Sequence, residues 1–157
     1  MSKKHYKLTE HLKGKLKLLN LNKENFESSM ANVEIIQTGF YHEDNSLSLC
    51  ATKTECWYYF ENIKSQYLPL LIAYFSSWLY QNDDCKNERD FAEIKITVVE
   101  LEDKSENKLL NLVITLIFHD EVYLQETVNG PIELDGIKYD EGTATIDVAE
   151  AGTVNGA

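Results

Sequence analysis

The apolar positions at the start of the chain repeat with a helical period. Leu8, Leu12, Leu16 and Leu19 fall at i, i+4, i+8 and i+11, one continuous stripe. Lys7, Lys13, Lys15 and Lys17 lie mostly off that stripe, and Asn20 and Asn22 mark its end. Residues 20–32 read as a polar connection. The period then changes to two. VEIIQTGFY, 33–41, reads as a strand, HEDNS, 42–46, as a turn, and LSLCATKTECWYYFENI, 47–63, as one long strand. The two strands form a hairpin, and a bulge is expected near Lys53–Glu55.

A second helix follows. Leu68 to Tyr80 carries no charge, Ser65 is placed to cap it, and Pro69 fits only its first turn. Leu68, Leu71, Ile72, Phe75 and Leu79 make one apolar face. Tyr67, Leu70, Tyr74 and Trp78 make a second. A helix with one buried stripe needs only the first. Two faces predict a helix sandwiched between its own sheet and something else, the first helix or a neighbouring subunit.

QNDDCKNERD, 81–90, reads as a charged loop, and FAEIKITVVEL, 91–101, as a half-buried alternating strand. EDKSENK, 102–108, is a hairpin-type loop. LLNLVITLIFHDEVYLQETV, 109–128, is apolar on both faces in its first half, as a central strand would be. Asn129-Gly130-Pro131 signals a turn before an edge strand in PIELDGIKYDEG. The order predicts one α+β domain over 1–141, an antiparallel sheet of about four to five strands with two helices on one face. Residues 142–157 contain no aromatic, Lys or Arg, and are expected to form a flexible tail.

Charge sharpens this picture. The chain of 157 residues has a net charge of -11. Residues 1–25 hold seven lysines against Glu10 and Glu24, giving +5, so the remainder, with eight basic and 24 acidic residues, carries -16. A body this acidic repels phosphate backbones and argues against ordinary nucleic-acid binding. No run reaches the roughly 18 apolar residues of a membrane span, and the charged N-terminus lacks the apolar core of a secretory signal. Three cysteines, Cys50, Cys56 and Cys85, without a CxxC pair, fit a reducing cytoplasm and small buried hydrophobes better than a disulfide framework or a metal site.

The chemical inventory is thin. No phosphate loop, dinucleotide fingerprint, nucleophile elbow or zinc-protease motif is present, and no cofactor is implied. His119, Asp120 and Glu121, with Asp135 and Asp140 downstream, form the nearest thing to a catalytic cluster, at an expected strand end where polar residues belong anyway. Consecutive aromatics Trp57, Tyr58, Tyr59 and Phe60 point to both faces of their strand, so both faces are covered. Trp57, Tyr59, Tyr74 and Trp78 are therefore the candidates for a subunit interface.

Three features together resemble the R-type tail completion proteins of contractile-tailed bacteriophages, which are similar to tail terminators. They are CWYYFENI, 56–63; LPLLIAYFSSWLYQND, 68–83, with Pro69, Trp78, Leu79, Asn82 and Asp83; and NLVITLIFHDEVYLQE, 111–126. The resemblance covers residues 8–138. It departs from the family pattern in lacking a second proline after Asn82 and in ending its last run on His119-Asp120-Glu121.

What the resemblance implies is a tail-terminator-like fold and a cap. Such subunits form rings, typically hexameric, on a completed tail tube, stop its growth and face the head connector. The implied partners are the chain itself, the tube protein, and sheath and connector proteins. DNA would slide through an acidic lumen without tight binding. The implied location is the host cytoplasm during assembly and then the tail neck of a phage or phage-derived particle. Contacts with tube or neck fall to loops: His42–Ser46, Glu102, Asp103, Lys104, Glu106 and Lys108, and His119, Asp120 and Glu121. The reading from a different class is a small acidic module that binds or inhibits a basic partner.

Overall fold

The computed structural model describes residues 3–83, 94–101 and 108–142. The loop over 84–93, most of the loop at 102–108 and the expected tail from 143 onward lie outside the described residues. The elements are α1 (Lys3–Lys13), β1 (Phe26–Tyr41), β2 (Leu47–Lys64), α2 (Leu68–Asn82), β3 (Ile94–Glu100), β4 (Leu109–Glu126), β5 (Ile132–Leu134) and β6 (Ile137–Glu141). Six strands form one antiparallel sheet in the order β1-β2-β4-β6-β5, with β3 paired to β4. The architecture is α+β, with one or two strands more than the sequence predicts.

The chain divides into two compact units. One comprises Met1–Val33 and Lys53–His119, the other Glu34–Thr52 and Asp120–Ala157. In the first, the leucine stripe behaves as its spacing predicts. Leu8, Leu12, Leu16 and Leu19 are all buried, the last two on a 3-10 turn that continues α1. Asn20 closes it at φ 59°, where asparagine tolerates the left-handed conformation. Cys56, Tyr58 and Phe60 of β2 alternate into the same core, as do Leu110, Leu112, Ile114, Leu116 and Phe118 of β4. Leu71, Phe75, Trp78 and Leu79 of α2 cover them. Both helices thus pack on one face, and each fully buried side chain contributes about 2 kcal/mol.

Several boundaries differ from expectation. β1 begins at Phe26, inside the stretch read as a connection. Its polar lettering hides real packing. The Phe26 ring lies 4.9 Å from that of Phe60, and the Thr9 and Ser28 hydroxyls meet at 2.9 Å. In β2 the alternation shifts at Asn62, which sits at φ 58° and passes the buried position from Phe60 to Ile63. From Thr54 to Phe60 the alternation is regular; before it, at the edge of the expected bulge, Leu47 and Ser48 are both buried and Ala51, Thr52 and Lys53 all half-buried. A 3-10 turn, Ser65–Tyr67, precedes α2, and no side chain caps the helix. Pro69 occupies the first turn as required.

β3 is an edge strand, paired with β4 from Ile94↔Leu116 to Glu100↔Leu110. It was expected to be half-buried. Instead Ile96, Val98 and Val99 are exposed, and only Ile94 at its start packs against the core.

The second unit has its own small core of Leu47, Leu124 and Tyr139, flanked by Leu49, Val122, Ile132 and Leu134. The expected edge strand after Pro131 is a hairpin. Asp135 at φ 51° and Gly136 at φ 82° turn β5 into β6. The chain returns to β4 through β6, with Leu124↔Glu141 and Glu126↔Tyr139 opposed. Gly130 lies so close to the Tyr139 backbone that a Cβ would overlap its carbonyl.

Candidate assembly surfaces

Four aromatics were candidates for a subunit interface. Trp57 and Tyr59 alternate with the buried Cys56, Tyr58 and Phe60, so they lie on the sheet face away from the helices, half-buried. Tyr74 is half-buried on α2, with the Lys15 ammonium 5.2 Å above its ring. Lys15 lies in the turn just after α1, so this cation–π contact adds to the packing of the N-terminal segment on α2. Trp78 is only 7% exposed and meets Phe118 edge-on at 6.4 Å. It is a core residue of the single chain, so the second face of α2 is used internally there. Leu70, Ile72 and Tyr80 are the apolar side chains that α2 leaves in solvent.

The loop candidates are placed as follows. Glu102, Asp103, Lys104 and Glu106 lie outside the described residues. Lys108 is exposed, 3.8 Å from an equally exposed Glu100. Such a pair adds little stability. The chain at Lys108 is anchored instead by its carbonyl, which accepts the Ser65 amide at 2.9 Å.

His119, Asp120 and Glu121 do not end a strand. They lie inside β4, which runs on to Glu126. The His119 carbonyl accepts a hydrogen bond from Lys4 Nζ at 2.9 Å, and only Glu121 of the three is exposed. Asp135 is spent in the β5–β6 turn and Asp140 is exposed on β6. Among the described residues, no three His, Cys, Asp or Glu side chains stand together as a metal site, and Cys50 and Cys56 are separately buried thiols.

The turn at His42–Ser46 is tightly built. Asp44 accepts both the Ser46 hydroxyl at 2.6 Å and the Ser46 amide at 3.0 Å. These bonds hold its carboxyl below the usual carboxylate range. His42 Nε2 meets the Ser48 hydroxyl at 2.7 Å, and the ring stacks on Tyr123 at 5.9 Å. The turn is thus held by side-chain hydrogen bonds on both of its arms.

The most conspicuous surface was not among the candidates. Val33, Ile35, Ile36, Phe40 and Tyr41 of β1 are all exposed, between 47% and 63%. Every residue from Ala31 to Tyr41 is exposed, and none after Glu34 is charged. Apolar exposure this concentrated marks an interaction surface. The sequence carried one signal for it, a seven-residue run without charge in an otherwise acidic chain. Periodicity alone assigned it to a strand without saying what covers it. Among the described residues, no helix is long and apolar enough to cross a membrane.

These surfaces are suited to holding other chains. No curated protein and no solved structure matches the chain. The family model for P2 phage tail completion protein R (GpR) matches residues 2–143, which include every described residue. The chain belongs to the P2 phage tail completion protein R (GpR) family and is a structural protein of bacteriophage tail assembly.

Proposed function

We propose that the protein caps the growing end of a contractile tail tube as a hexameric ring. It stops polymerisation there and offers its other side to the head connector. The observation that carries this reading is the exposed, charge-free length of β1. In a tail protein, whose partners are other subunits, such a surface is for assembly. A net charge of -11 fits a ring through which DNA passes without sticking. Tube contact falls to the loop at 102–108, whose mixed charges favour specificity over affinity, with the His42–Ser46 turn and Glu121 as further neck contacts.

The experiment is complementation of a phage lacking the gene. Without the protein, tails should lack joined heads or tubes should vary in length. Replacing residues 102–108 with a Gly-Ser linker should leave a folded protein that fails to rescue. Normal, infectious particles made without the protein would overturn the proposal.

A further inference from the structure

A ring needs two different complementary surfaces on each subunit. A surface that pairs only with itself closes a dimer and stops. The sheet supplies two different candidates. Among the described residues, β1 pairs only with β2, and β3 only with β4, so each keeps one free edge. A free edge presents unpaired backbone N–H and C=O groups, which another strand satisfies. Natural edges are usually guarded by lysine, proline or a bulge. Ile35-Ile36-Gln37-Thr38 has no charge, no proline and no positive φ, the first left-handed residue, Gly39 at φ 62°, coming only after it, and Ile96-Thr97-Val98-Val99 has no charge or proline of its own between Lys95 and Glu100. Both windows are exposed, with Ile35 at 63% and Val99 at 54%.

Charge selects the occupant. Two copies that each carry -11 repel, and they approach at least cost along uncharged surface. A basic partner would be met by carboxylates, which these windows lack. The flanking charges also select an orientation. Aligned in parallel, the windows set Glu34 beside Lys95. Aligned antiparallel, they set Glu34 against Glu100.

We infer that the free edge of β1 on one copy pairs in parallel with the free edge of β3 on the next, head to tail, so that sheet edges close the ring. This rests on the ring reading above and names the surface that makes it.

The test is native mass of the purified full chain and of variants at exposed positions, with circular dichroism to verify folding. Ile35→Lys and Val98→Lys should each reduce the ring to single chains of 18.1 kDa. Mixed together they should form one-to-one pairs and nothing larger, because each retains the edge that the other lacks. Glu34→Lys should weaken association at least severalfold, and adding Lys95→Glu on the same chain should restore it. A ring that survives either lysine substitution overturns the edge pairing and leaves the ring reading standing. Failure of the charge swap to restore association overturns the pairing likewise. A wild-type protein that stays a single chain overturns both.

Discussion

The ammonium of Lys4 lies 3.2 Å from the carboxylate of Asp83, joining the first turn of α1 to the residue that ends α2. The Asp83 side chain is fully buried and that of Lys4 is 14% exposed. The same ammonium donates to the His119 carbonyl, so one cation fastens both helices to β4. Removing one partner of a buried pair costs far more than the pair itself contributes. Lys4→Met should therefore destabilise the protein by about 3 kcal/mol. Adding Asp83→Asn to it should recover part of that loss, as read from urea midpoints of the three variants.

The nearby polar knot makes stability depend on pH. His5 Nδ1 meets the Tyr58 hydroxyl at 3.1 Å inside the core. Burial lowers the His5 pKa from 6.5, and burial followed by Lys15 lowers that of His11. The unfolded chain then binds more protons than the folded one below about pH 6.5. Stability should be full above that value and fall as pH drops through the lowered folded pKa values. Urea midpoints at neutral and mildly acidic pH should show this slope, and it should flatten in His5→Gln.

Close backbone approach governs the second unit. A Cβ at Gly130 would overlap the Tyr139 carbonyl, and Tyr139 is a centre of that unit's core. Gly130→Ala should cost about 1–3 kcal/mol by forcing β6 outward. Gly136→Ala meets nothing but must adopt φ 82°, and should cost about 1 kcal/mol through strain alone. Thermal melts should rank the two, with the Tyr139 hydroxyl becoming easier to ionise only in the first.

What the chain's lettering disclosed follows from which physics is local. The leucine stripe of α1, the His42–Ser46 hairpin and the central position of β4 rest on period and turn chemistry, and all are legible. Phe26–Asn32 was not, because FESSMAN does not alternate and it is pairing with β2, with Phe26 against Phe60, that makes it a strand. Asp135-Gly136 carries the same kind of turn signal as Asn129-Gly130, and the chain turns at both. The exposure of β1 and β3 was illegible for another reason. Alternation says that a strand has an apolar side and is silent on whether a helix lies over it. The helices here cover β2 and β4; Phe26 and Met30 of β1 and Ile94 of β3 still reach that core, and the strand residues beyond them are exposed.

The same limit decides the outcome at Trp78. The two apolar faces of α2 predict a partner for this side chain, the first helix or a neighbouring subunit, and only in the second case would Trp78→Lys leave the fold intact. Its position says otherwise. Trp78 is 7% exposed, shares a core with Leu71, Phe75 and Leu79, and packs on Phe118 of the central strand. Truncating a buried tryptophan costs about 3–5 kcal/mol, and a lysine there must also bury or extrude its charge. Against a typical total stability of about 5–15 kcal/mol, Trp78→Lys should leave the protein largely unfolded or aggregated. Ser76, two residues earlier on the opposite side of the helix, is exposed. Ser76→Lys should therefore melt within about 0.5 kcal/mol of wild type. The pair separates the two faces of one helix by melting temperature alone. A folded, stable Trp78→Lys protein would mean that the tryptophan is free to leave the core, and would return it to the list of interface residues.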